Sequence, residues 1–165
     1  MAKTYDDFFT AVSEENLSFV NEIHAFVREN GCDTEVKEAK NGYVLSYFFK
    51  KDKKKITLMN YVFRKQGMLV RIYARNVSLY QKMLNELPEE MKKAIKKGGD
   101  CKRLTGVSTC SPTCTAGYEF RMDGESYQKC RNSAFFWKVC KESHKHIRKM
   151  LENEVKYGKI DAGII

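Results

Sequence analysis

The segment from Cys101 to Cys130, CKRLTGVSTCSPTCTAGYEFRMDGESYQKC, limits what this chain can fold into more than any other stretch. It holds four of the six cysteines, spaced C-x8-C-x3-C-x15-C, among turn formers such as Gly106, Pro112, Gly117, Asp123 and Gly124. Such a stretch has few apolar side chains to offset the entropy of its own ordering. A tetrahedral zinc ion bound by Cys101, Cys110, Cys114 and Cys130 would fix four chain points at once. The spacing is less diagnostic than paired CxxC knuckles, and thiols without metal, or disulfides in an oxidising compartment, are the alternatives. The proline of Cys-Ser-Pro-Thr-Cys presets a turn that can bring two sulfurs into chelating range. Structural zinc is therefore the expectation, with Cys32 and Cys140 outside the site.

A chain of 165 residues with 42% hydrophobic and 12% aromatic content can build a core, so it is no disordered tail. The expected division is a sheet domain over 1–98 and a cysteine-rich module with a terminal helix over 99–165, packed on the first. No apolar run is long enough for a membrane span, and no apolar run follows a basic start at the N-terminus. A cytoplasmic location, where thiols stay reduced, is the expectation. The formal charge of +9 is spread over both halves. Such a surface attracts nucleic acid or an anionic ligand without choosing between them.

Along the chain, Thr4 to Val12 reads as a short helix, and Ser13 as the N-cap of a longer one carrying Leu17, Val20, Ile23 and Val27. Asn30-Gly31 ends it. The period then changes to two. Thr34–Glu38 reads as a charged edge strand, Asn41-Gly42 as a hairpin turn, and Tyr43–Phe49, Ile56–Arg64 and Met68–Arg75 as three further strands of an antiparallel meander. Asn76 can cap a helix through Leu87, and Pro88 opens another that Gly98-Gly99 stops. A small hairpin turns at Asp123-Gly124, the aromatics Phe135, Phe136 and Trp137 dock the module, and Ser143 caps a final helix ended by Gly158. The apolar tail Ile160–Ile165 is expected to fray or meet a partner. The fold class is thus α+β: a sheet of about four antiparallel strands packed with helices, then a small four-cysteine zinc module and a C-terminal helix.

The run CKRL…C…C…GYEF…DG…YQKCR, preceded by YVFRKQGMLVRIYARN and LPEEMKKAIKK, resembles an uncharacterised family of small bacterial proteins. The resemblance covers about Tyr43 to Glu154. It implies a small α/β domain, a four-cysteine segment matching Cys101, Cys110, Cys114 and Cys130, and a terminal helix. It implies no activity.

The strand Met68–Arg75 carries the clearest functional pattern. Met68, Val70 and Ile72 point one way, and Leu69, Arg71, Tyr73 and Arg75 the other. On the preceding strand Tyr61 and Phe63 share one face, Asn60 and Arg64 the other, and either pair can stand beside Arg71. A ligand site of Arg71, Tyr73, Arg75, Tyr61 and Phe63 would take an anionic small molecule, or would stack bases of a nucleic acid. A plain solvent-facing sheet with arginine stems over apolar surface is the competing account. Lys50–Lys55 reads as a solvated hairpin tip or a phosphate-binding one. Against catalysis, there is no HExxH, GxSxG or glycine-rich phosphate loop, and only three histidines. His24 sits beside an apolar stripe, as a satisfied interfacial histidine does. Cys140, His144 and His146 form a C-x3-H-x-H group. On a helix its two histidines point about 200° apart, which disfavours one shared ion. The two function classes are an anion-binding protein with structural zinc and a nucleic-acid-associated regulator. Catalysis is the less favoured class.

Overall fold

A computed structural model describes residues 2–107, 110–111 and 113–161. Helix α1 (Tyr5–Phe9) opens on a capping box: Thr4 Oγ1 accepts from the Asp7 amide and the Asp7 carboxylate accepts from the Thr4 amide, so two free donors are satisfied together. A 310 turn (Glu14–Asn16) leads into α2 (Leu17–Glu29), whose Phe19, Val20, Ile23 and Val27 are buried. Ser13 makes no side-chain cap; instead its Oγ accepts from Asn16 Nδ2.

Strands β1 (Asp33–Ala39), β2 (Gly42–Lys51), β3 (Lys54–Arg64) and β4 (Gly67–Ile72) form the expected antiparallel meander. Asp52 and Lys53, both with positive φ, close the β2–β3 tip in the two-residue geometry that matches strand twist. The sheet has five strands rather than about four. After α3 (Val77–Tyr80), a 310 turn (Gln81–Glu86), α4 (Glu89–Lys97) and the hairpin of β5 (Tyr118–Met122) and β6 (Glu125–Lys129), the chain returns as β7 (Phe136–Lys138). This short strand pairs with β4, Arg71 opposite Phe136 and Val70 opposite Trp137, giving the order β1-β2-β3-β4-β7. The second half of the chain therefore completes the sheet of the first.

One face of the sheet carries Leu45, Tyr47, Met59, Tyr61, Val70, Ile72 and Trp137, all buried in one core with Phe8, Val20 and Ile23 from α1 and α2 and with Ile147, Met150 and Leu151 from α5 (His144–Asp161). Trp137 Nε1 donates to the Met91 carbonyl of α4 at 3.1 Å, so the one tryptophan satisfies its N–H while filling that core. Phe48, Val62 and Leu69 are buried on the opposite face and lie outside the core the helices share. Helix α5 continues through Gly158 to Asp161, since one helical glycine costs only about 1 kcal/mol. Residues 162–165 of the expected apolar tail lie outside the described residues. Asn76 also departs from expectation: its side chain and amide donate to the buried Glu154 carboxylate of α5 rather than capping α3. Among the described residues no helix is long and apolar enough to cross a membrane.

Candidate functional site

The outer face of the sheet is built by register. Ser46, Asn60, Arg71 and Phe136 stand opposite one another across β2, β3, β4 and β7, and side chains in direct register share a face. Arg71 joins this row. Its Nη1 donates to Asn60 Oδ1 at 3.2 Å and its Nε to the Asn132 carbonyl at 2.7 Å, while its guanidinium lies 4.6 Å from the Phe136 ring centroid. Arg64, two residues beyond Val62 on the same face, brings a second guanidinium to 5.9 Å from that ring. Past the end of β4 the chain stays bonded to β3 as it turns: the Tyr73 amide donates to the Leu58 carbonyl, the Arg75 amide to the Tyr73 carbonyl, and Arg75 Nη1 to the Thr57 carbonyl at 2.6 Å. Arg75 and Arg131 lie 5.9 and 5.6 Å from the Tyr73 ring. Toward the hairpin tip, Lys55 lies 4.7 Å over Phe48.

Three outer-face aromatics thus each carry at least one cation. Among the described residues Arg64, Arg71, Arg75 and Arg131 have no ion pair to a carboxylate. At the β1 edge the charges are matched, with Lys50 on Asp33 and Lys55 on Glu35. The arginines left without a carboxylate therefore lie toward β4 and β7.

Strand β4 ends at Ile72, short of the expected Arg75, so Arg71 alone stands in the sheet, while Tyr73 and Arg75 follow past the strand end with the Arg75 guanidinium 5.9 Å from the Tyr73 ring centroid. Tyr61 and Phe63 do not join them: they lie on the core face, where their rings pack 5.6 and 5.7 Å from Phe8. The aromatic beside Arg71 is Phe136. In Phe135-Phe136-Trp137 the outer two enter the core and the middle one faces out, a split that three consecutive aromatics do not announce. A cavity of about 470 Å³ opens between Ser78, Gln81, Glu119 and Arg121, and one of about 300 Å³ among Met83, Glu86, Lys145 and His146. Arg71, Tyr73 and Arg75 line neither.

The cysteine segment is anchored by a buried lysine. Lys129 Nζ donates to the Lys96 and Gly98 carbonyls at the C-terminal end of α4, at 3.0 and 2.8 Å, and pairs with Asp100 at 3.0 Å. The carbonyl end of a helix is where a cation is favoured. Around this pin, Asp100 bridges to Lys129, the Cys101 amide donates to the Gln128 carbonyl, and the Cys130 amide donates to the Gly99 carbonyl. Cys101 and Cys130 are so held on adjacent extended segments. The Gly117 amide donates to Cys101 Sγ at 3.3 Å. Burial acts to raise the Cys101 pKa, but amide donation from Gly117, Leu104 and Arg103, with the Arg103 charge, outweighs it and leaves the thiol below its ordinary value. That is the environment a thiolate ligand needs. Cys114 is half-buried and Cys110 exposed; among the described residues no three of the Cys, His, Asp and Glu side chains are gathered as a metal-binding group.

The remaining candidates are engaged elsewhere. Cys32 is buried, and that burial pushes its thiol up to about 12. His24 lies 2.7 Å from the Tyr47 hydroxyl and stacks on Tyr5, and burial, then Arg28, holds its pKa below the usual value. His144 stacks on Phe19 and bonds Asn16 at 2.7 Å, so it faces α2. Comparison of the chain with protein-family models, with curated proteins and with solved structures found no match.

Proposed function

We propose that this protein binds single-stranded nucleic acid on the outer face of its sheet, with Cys101, Cys110, Cys114 and Cys130 holding a structural zinc. The observation that carries the reading is the pairing of three outer-face aromatics with cations, four of them arginines without a carboxylate. Arginines so placed meet phosphates, and aromatic side chains beside them offer surface on which bases stack whatever their sequence. The open face favours an extended chain over an enclosed metabolite, which is why this reading stands ahead of a small anionic ligand. The amides converging on Cys101 and the Lys129 pin support a metal role for the cysteine segment. Zinc would supply no chemistry beyond fixing that segment against α4 and β7.

The test is a titration of the folded protein with oligouridylate and oligothymidylate at several salt concentrations. Arg64→Gln and Arg75→Met are expected to lower affinity for both alike and to flatten the salt slope by about 0.7 for each phosphate no longer neutralised. Folded wild type that binds neither polymer at low salt would overturn the reading. Saturable binding of a free anion in their place would restore the small-ligand alternative.

A further inference from the structure

The outer face ends differently from the way it begins. Beside β1, Lys50 and Lys55 meet Asp33 and Glu35, whereas past β4 two arginines flank a single ring. Arg75 follows the end of β4 by three residues and Arg131 follows Cys130, and both guanidiniums lie within 6 Å of the Tyr73 centroid, at 5.9 and 5.6 Å. Arg75 is held below its ordinary pKa by burial and, less strongly, by repulsion from Arg131; Tyr118, Glu154 and Tyr73 act in the opposite sense. Glu154 is the carboxylate whose charge reaches Arg75, and its oxygens are turned to Asn76 and to the Tyr80 hydroxyl. Arg75 spends one of its five N–H donors on Thr57, and among the described residues Arg131 makes no side-chain hydrogen bond.

Tyr118 stands at the same end. Its ring packs 5.8 Å from Phe135, and the β5–β6 register sets it opposite Lys129, two residues before Arg131; burial raises its pKa, and Arg75 and then Arg131 act against that rise. Among the described residues its hydroxyl has no hydrogen-bond partner. Two cations therefore converge on one ring, and a neutral donor stands on the adjoining strand, where the open face meets the cysteine-bearing segment through Gly117-Tyr118 and Cys130-Arg131.

Resting on the nucleic-acid reading, we propose that Arg75, Arg131 and Tyr118 receive a terminal phosphate monoester of the bound strand. A monoester carries close to two negative charges at neutral pH where an internal diester carries one, and it presents three acceptor oxygens to two forked guanidiniums and a hydroxyl. An internal phosphate would leave one of the two arginines without a matching charge.

The experiment compares one short oligothymidylate ended by a 5′-phosphate, by a 3′-phosphate or by hydroxyls alone, with thymidine 5′-monophosphate as competitor. Wild type is expected to bind one phosphorylated form about tenfold more tightly than the hydroxyl form, the factor equivalent to about 1.4 kcal/mol. Arg131→Gln should erase that difference, lowering affinity for the phosphorylated form about tenfold more than for the hydroxyl form. Arg131→Lys, which keeps a charge without the fork, should retain part of it, and Tyr118→Phe should reduce it with the fold intact. Equal affinity for all three strands would overturn the terminal site and leave the nucleic-acid reading standing. Competition by the mononucleotide as strong as by the phosphorylated strand would also overturn it, in favour of a nucleotide site. Absence of binding by any strand overturns both.

Discussion

The guanidinium of Arg71 lies 4.6 Å from the ring centroid of Phe136, and the two residues stand opposite each other in the β4–β7 register. One contact thereby joins the strand that carries the arginines to the strand returned by the second half of the chain. Arg71 also donates to Asn60 on β3 and to the Asn132 carbonyl, so a single side chain spans three segments. Stability and function are superposed at this residue, and substitutions there have to be read with both in mind.

Arg71→Lys is expected to be non-conservative. Lysine keeps the charge but loses the planar contact with Phe136 and cannot reproduce both hydrogen bonds. The cost should be about 1–2 kcal/mol in urea unfolding, with weaker binding of oligouridylate. Arg64→Gln should weaken binding with almost no effect on stability, because Arg64 is exposed and makes no hydrogen bond among the described residues. Equal stability losses in the two variants would show that Arg71 does not staple β7.

Tyr61→Phe should stabilise the protein. Its hydroxyl is buried in the core and has no hydrogen-bond partner among the described residues. A buried donor left unpaired costs about 1–3 kcal/mol, so removing the oxygen while keeping the ring should raise stability by about 1 kcal/mol. A higher urea midpoint is the expected result, and a lower one would mean that the hydroxyl is satisfied in solution.

The meander was legible in the sequence because its signals are local: Asn41-Gly42 and the Gln66-Gly67 region mark turns, and strict alternation marks the faces. Alternation sets Arg71 opposite in facing to Val70 and Ile72, but β4 ends at Ile72, so it does not reach Tyr73 and Arg75. Which residue of β3 stands beside Arg71 depended on the turn. Arg64 pairs with Gly67, leaving a two-residue loop that sets Asn60, and not Tyr61, opposite Arg71. A shift of one residue would have exchanged the faces, so alternation without register could not choose. Strand β7 was hidden for another reason. It is three residues long, and its partner Leu69–Arg71 lies far back in the chain, so no local period announces it. The Lys129 pin on α4 is of the same kind: a lysine in a polar hairpin gives no local sign that it will be buried at a helix end.

At the cysteine segment, protein purified without added metal is expected to carry one zinc per chain. Cys110→Ser should lose it, and the Cys32→Ser, Cys140→Ser double variant should keep it. Gly117→Ala offers a separate test, because a Cβ there would sit 2.0 Å from the Lys129 carbonyl oxygen and 3.1 Å from Cys101 Cβ. Neither neighbour is a flexible side-chain end, so the segment must move, at a cost of about 1–3 kcal/mol and with release of the metal. Gly158→Ala is the control: nothing stands within 4 Å, the residue is helical, and a gain of about 1 kcal/mol is expected. Full zinc content in Gly117→Ala would remove Cys101 from the ligand set, and metal-free wild type would remove the site.

Glu154 supplies a pH dependence of unusual sign. Burial raises its carboxyl pKa above the ordinary 4.5, even though Tyr80 and Asn76 donate to it and Arg75 lies within reach. In the window between 4.5 and the raised value the folded state binds more protons than the unfolded chain, so this group's contribution to stability falls as pH rises. The contribution is fully present below the unfolded value and is lost as pH rises through the folded one. Glu154→Gln removes the titration and keeps an acceptor for Tyr80. The difference in unfolding free energy, wild type minus Glu154→Gln, should therefore decline from about pH 4.5 upward and level off once the carboxylate is ionised in both states. Urea unfolding of both proteins across that range measures it directly. A difference that grows with pH would mean that the hydrogen bonds, and not burial, decide the ionisation of this glutamate.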